Sequence, residues 1–248
     1  MTNDKRTIFM GHIAPFLLWI GVIFLLPGLE RLGLGGQCIY PWSYAIKSVV
    51  CAALFIWLKP WRVYSALKPS NILPALVIGL GVAVLWIAPE MGAFGRSFAA
   101  GQDFYHCWLI APPGAFPVYY PSLPPGHSSW SYAPQQAGWL LTIMKLIGSS
   151  CVIAVLEEFF FRGFLYRWQS RSLFWLQPLT EFDLRPFLIT VLVFGVEHDR
   201  WFMGMVAGAA YGLFVIWRGD IWAAALAHGV TNFVLGIYVV FTGQYGLW

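Results

Sequence analysis

Apolar runs of about 20 residues recur along this chain, and each is long enough to cross a bilayer as a helix. Seven segments qualify: 8–29, 40–58, 71–89, 138–165, 186–198, 202–217 and 221–241. The fifth is too short to cross alone, and an eighth helix in the long third connection is a further option. Only 10% of the 248 residues are charged and 59% are hydrophobic, against about 25% charged in soluble domains. The ten-residue alternation of a spanning strand barrel is absent. The expected fold is all-α: one polytopic transmembrane bundle, residues 1–248, of seven or eight spans with an intramembrane cavity and the lipid bilayer as its surroundings. A net charge of +4 gives no reason to expect a nucleic-acid partner.

Basic residues set the orientation. Lys5, Arg6, Lys59, Arg62, Lys68, Arg162, Arg167, Arg171, Arg185 and Arg218 fall on one side, and only Arg31, Arg96 and Arg200 on the other. That bias predicts a cytoplasmic N-terminus. Lys47 and Lys145 fall inside spans and are expected to snorkel toward an interface. The start of the chain resembles a signal peptide in its charge and apolar core, but the run is long and no small-x-small site follows, so it reads as an uncleaved first span.

The long connection carries "APPGAFPVYYPSLPPGHSSWSYAPQQ". Its prolines forbid a continuous helix, and its aromatics suit a cap at the membrane surface, either inert or ligand-binding. Cys51 and Cys151 read as packing residues. Cys38 and Cys107 fall in loops on one side and either pair or remain thiols. Gly204, Gly208 and Gly212 recur at four-residue spacing, which lets a neighbouring helix approach closely.

Against this background "LEEFFFRGF" is out of place. A carboxylate at mid-span costs about 2.5–3.5 kcal/mol on insertion scales. Glu158 and Arg162 stand four residues apart on one helix face and can pair. Glu157 is rotated by about 100° and needs another partner or another purpose. Two further sets supply candidates: "FGVEH" stacks Phe194 and His198, and "HGVTN" stacks His228 and Asn232. Measured from the basic side, Glu157 lies roughly 15 Å deep, His198 roughly 18 Å and His228 roughly 12 Å. A carboxylate, two imidazoles and an amide are therefore expected in one cavity, opening toward the cytoplasm.

Such a set suits peptide hydrolysis, with Glu157 as base, His198 holding the same water, and His228 with Asn232 facing the oxyanion. Glu, His and His are equally a zinc ligand set, although no HExxH is present. Ser149 and Ser150 offer a nucleophile or, more plainly, packing. Intramembrane carboxylates and histidines also build proton relays in transporters, but no repeated halves are visible. A non-catalytic peptide-binding or immunity protein would keep the same fold.

"EEFFFRGFLY", "FGVEH" and "HGVTN" together resemble, in order and spacing, the EExxxR, FxxxH and HxxxN/D motifs of the CAAX prenyl protease family. This family is also known as CPBP and includes the abortive-infection and bacteriocin-processing membrane endopeptidases. The likeness covers about 152–241. It implies a glutamate-dependent endopeptidase without metal or other cofactor. Glu157 and His198 would activate water, His228 and Asn232 would form the oxyanion hole, and Glu158, Arg162 and Phe194 would support them. The substrate implied is a membrane-associated protein or peptide. The chain also resembles the branch found beside bacterial exosortase systems, which implies a multi-pass protein of the bacterial inner membrane. Glu197 and Asp199 beside His198 depart from the motif.

Overall fold

The computed structural model describes residues 3–33, 39–110 and 128–248. Its long helices follow the apolar runs closely. They are α1 (Asn3–Arg31), α2 (Ile39–Leu58), α3 (Ile72–Ile87), α4 (Gly92–Ser97), α5 (Ala99–Trp108), α6 (Pro134–Trp168), α7 (Leu184–Val196), α8 (Trp201–Arg218) and α9 (Ile221–Thr242). Among the described residues there is no strand, and six helices are long and apolar enough to cross a membrane. The chain is a multi-pass, all-helical membrane protein. Helix α7, with 13 residues, is the short span expected between α6 and α8. The described part of the long connection holds the short helices α4 and α5. Its Pro-rich part, 111–127, and Cys38 lie outside the described residues, so neither the proposed cap nor the Cys38–Cys107 pairing can be placed.

Lipid-facing positions are apolar, as the bilayer requires: Phe24, Trp57 and Phe241 are among the most exposed side chains. The polar groups lie inside. Cys51 is buried as expected, but Cys151 is exposed on the helix surface and packs nothing. The small residues of α8 act as expected. A side-chain carbon at Gly204 would meet Gly195 of α7, and one at Gly208 would meet the Phe194 ring. These contacts press α7 against α8 and bring Phe194 and His198 inward.

Helix α6 is not regular. It contains a non-helical Gly138 near its start (φ 77°) and two wider π-helical turns, Gly148–Ile153 and Phe159–Leu165, on either side of the Glu157–Glu158 pair. Such turns loosen the i→i−4 ladder and recur at functional sites. Carbonyls within them serve as acceptors for other helices. Ser149 O receives Asn232 Nδ2 of α9 at 2.9 Å, and Gly163 O receives Tyr64 Oη at 3.4 Å.

The two ends of the bundle differ. One gathers the α2–α3 and α8–α9 connections with the end of α6. Here Asp220 accepts from Lys68 N at 3.0 Å and Asn71 Nδ2 at 2.8 Å, and Arg218 Nε donates to Asn71 Oδ1 at 2.7 Å. Arg167 donates to Tyr64 Oη at 3.0 Å. This is the end with the excess of basic residues. The other end gathers aromatics: Trp130 lies on Tyr245, Tyr132 on Trp248, and Trp86 on His198. It also buries an ion pair between Glu90 and Arg200, at 3.0 Å.

Asp220 is the stitch of the basic end. It is 2% exposed, and it also caps α9 by accepting from Trp222 N and Ala223 N, each at 3.1 Å. Replacing it with Ala orphans four donors in one place. The expected cost is about 2–4 kcal/mol, read as a lowered Tm of the full-length protein in detergent, with Asp220→Asn milder.

Candidate active site

Three helices supply the site: α6 carries Glu157, Glu158 and Arg162, α7 and its trailing turn carry Phe194 and His198, and α9 carries His228 and Asn232. Arg162 donates from one guanidinium nitrogen to Glu158 Oε1 at 2.9 Å and from the other to Gly208 O of α8 at 2.8 Å. The i,i+4 spacing thus closes into an ion pair whose members are 3% and 0% exposed. The guanidinium also lies over the Phe194 ring, 4.5 Å from its centroid. The charge of Glu158 is therefore met from within the protein, through Oε1.

The two glutamates diverge on their own helix, yet both reach His228. Its Nδ1 is 3.1 Å from Glu158 Oε1, and its Nε2 is 3.6 Å from Glu157 Oε2. Tyr211 of α8 stacks on the imidazole, with ring centroids 4.8 Å apart, and donates to Thr231, which donates in turn to Gly79 O. The Gly229 that follows His228 is required by approach: a side-chain carbon there would lie 2.5 Å from Ser150 O. Without that carbon α9 closes on α6 and brings His228 between the glutamates.

Glu157 differs from its neighbour. It makes no ion pair with Arg162 and is 6% exposed, and its buried Oε2, like that of Glu158, has no hydrogen-bond partner among the described protein groups. It lines a cavity of about 490 Å³ whose wall also includes His198, His228, Asn232 and Phe194. The structure brings these five predicted residues to one cavity, while Glu158 and Arg162 lie behind it. Ser149 also lines it, but its hydroxyl donates to Leu146 O at 2.9 Å, as does that of Ser150 at 2.8 Å. Among the described residues no three His, Cys, Asp or Glu side chains cluster as a metal ligand set.

Hydrogen bonding fixes what each ring can do. His198 Nδ1 lies 2.7 Å from Phe194 O. A carbonyl only accepts, so Nδ1 carries the proton and Nε2 of the neutral ring is an acceptor. His228 gives its Nδ1 proton to the Glu158 carboxylate, so Nε2 donates only from the doubly protonated ring. Asn232 spends one amide proton on Ser149 O and keeps the other.

Two expectations are corrected. The cavity does not face the basic end. Its lining includes Leu26 and Pro27 at the end of α1, Tyr40 and Tyr44 at the start of α2, and Trp86 and Trp248. All belong to the aromatic end, away from the N-terminus. The depths matched, but depth along a helix says nothing about the side from which a cavity opens. Lys47 and Lys145 do not snorkel to an interface either: both point into this cavity. The sequence motifs do not single out Tyr211, and Glu197, which departs from them, lines the cavity with a buried Oε2 that has no hydrogen-bond partner among the described residues.

Residues 139–234 match a family model described as type II CAAX prenyl endopeptidase, Rce1-like. The matched segment contains Glu157, Glu158, Arg162, Phe194, His198, His228 and Asn232. No curated protein and no solved structure matches the chain. The matched segment, the three motifs and the all-helical membrane fold agree with one another, and residues 139–234 are similar to the CAAX prenyl protease family of membrane endopeptidases.

Proposed function

We propose that the chain hydrolyses a peptide bond of a membrane-associated protein or peptide by a glutamate-dependent mechanism within the membrane. The observation that carries this reading is the contrast between two adjacent carboxylates. Glu158 is held through Oε1 by Arg162 and His228 behind the cavity, whereas Glu157 lines the cavity, with its Oε2 3.6 Å from His228 Nε2. Glu157 takes a proton from water, and the neutral His198 orients the same water through Nε2. The oxygen attacks the scissile carbonyl carbon, and the resulting oxyanion is met by the remaining Asn232 proton and by Nε2–H of a doubly protonated His228. The C–N bond then breaks, and the proton held by Glu157 passes to the leaving amine.

Glu158 and Arg162 act by position. They hold His228 by its Nδ1 and tie α6 to α8 through Gly208 O. With the basic end in the cytoplasm, the cavity receives its substrate from the opposite side of the membrane. In a bacterial cell that is the outer face of the inner membrane.

In purified full-length protein assayed on a peptide library, Glu157→Gln is expected to lower kcat about 10²–10⁴-fold with the fold intact. A chelator should change neither protein. Cleavage that survives Glu157→Gln removes Glu157 as base, and chelator inhibition turns the assignment to zinc. Arg162→Leu leaves Glu158 buried and unpaired, so it should lower stability by about 3–5 kcal/mol. Glu158→Gln combined with Arg162→Leu should recover a large part of that loss in thermal unfolding while leaving activity low, because His228 is no longer held.

A further inference from the structure

Two cations face this cavity that neither the motifs nor the mechanism uses. Lys47 of α2 and Lys145 of α6 both line it, on the side toward the aromatic end. Lys47 is 6% exposed. Its Nζ lies 4.2 Å from the centroid of the Trp19 ring and 4.9 Å from that of Tyr44. Lys145 Nζ lies 4.0 Å from the same Tyr44 centroid and 4.8 Å from that of Tyr132. The two ammonium groups thus share one ring. Among the described residues neither forms an ion pair.

Aromatic faces attract a desolvated cation by about 2 kcal/mol, well below the cost of taking one from water. Two like charges on a shared ring also repel. Of the carboxylates facing the same cavity, Glu157 is beside His228, and Asp199, an exposed residue at the cavity wall, acts on Lys145 without forming an ion pair with it; Lys47 has no such carboxylate among the described residues. An anion brought in by a ligand would relieve both penalties. The walls suit an apolar peptide, being built from Trp19, Tyr44, Trp86, Tyr132 and Trp248. Along α6, Lys145 is 12 residues from Glu157, or roughly 18 Å, the length of about five extended residues.

We infer that Lys47 and Lys145 form a carboxylate subsite that anchors the substrate peptide a few residues from the bond to be cut. This rests on the endopeptidase reading for the identity of the ligand, while the subsite itself is a matter of binding. The carboxylate is either the peptide's C-terminus or an acidic side chain, and the two sources share the same chemistry.

The test uses full-length Glu157→Gln protein in neutral-lipid nanodiscs, so that binding is read without turnover. The probes are an N-dansylated Leu-Ala-Leu-Val peptide as free acid, the same peptide as C-terminal amide, and an amide with Glu in place of the last Val. Energy transfer from the cavity tryptophans reports binding. The free acid, the Glu-containing amide or both should bind about 10–100-fold tighter than the neutral amide. Which of the two does so identifies the source. Adding Lys47→Gln and Lys145→Gln should abolish the preference, and Lys→Arg should retain it.

Equal binding of all three peptides, or no binding of any, overturns the subsite, and this comparison needs no lysine variant to fold. A preference that survives both Lys→Gln changes, or one that appears only with anionic lipid, overturns the assignment to these lysines or to a peptide. If the anionic peptides bind preferentially but wild-type protein cleaves none, the endopeptidase reading fails and the subsite stands. If wild-type protein cleaves acid and neutral peptides with the same KM, the subsite fails alone.

Discussion

In a bilayer every charge that leaves water has to be met by the protein itself, and the arrangement of this site follows from how one such charge is met. Glu158 is fully buried, and its Oε1 takes both the Arg162 guanidinium and the His228 ring. Arg162 in turn reaches the Gly208 carbonyl, and Tyr211 covers the face of His228. One carboxylate therefore links α6, α8 and α9 at mid-membrane. α9 comes close enough to α6 because Gly229 carries no side chain, and Gly208 admits the Phe194 ring over which Arg162 lies. Gly208, which reads as a plain packing residue, thus shapes the surroundings of the ion pair.

The parts of this structure that the sequence made legible are those governed by local periodicity. Apolar run length placed the long helices within a few residues, because a bilayer imposes both a length and a polarity on each span. Four-residue spacing correctly paired Glu158 with Arg162 and brought Phe194 beside His198. Depth along the helices brought Glu157, His198, His228 and Asn232 to one level, and they do share a cavity. The short α4 and α5 carried no such periodic signal, and neither did the wider turns of α6.

What stayed hidden depends on relations between helices. Rotation by 100° suggested that Glu157 and Glu158 serve different partners, yet a ring from a third helix lies between them and touches both. Lys47 and Lys145 were read against a single helix in lipid, where the nearest water is at the interface. In the bundle the nearest polar space is a central cavity, and the side chains turn inward. The same oversight reversed the opening of the cavity. Its mouth is lined by the end of α1 and the start of α2, a pairing between helices that no residue pattern within either one encodes.

Two identical residues, adjacent in sequence, have come to hold opposite states. Arg162 at the next helical turn selects Glu158, and the rotation of one residue directs Glu157 to the cavity, beside His228 Nε2. An ion pair with arginine at both positions would have secured the fold and left no free carboxylate for the proposed chemistry. Two unpaired carboxylates would have been too costly to insert. The stability of the first is what allows the second to face the cavity, since the tie through Arg162, His228 and Gly208 holds α6 against its neighbours without an ion pair between Arg162 and Glu157. Fold and chemistry are separated here by a single step along one helix, and the motif's adjacent glutamates are the direct consequence.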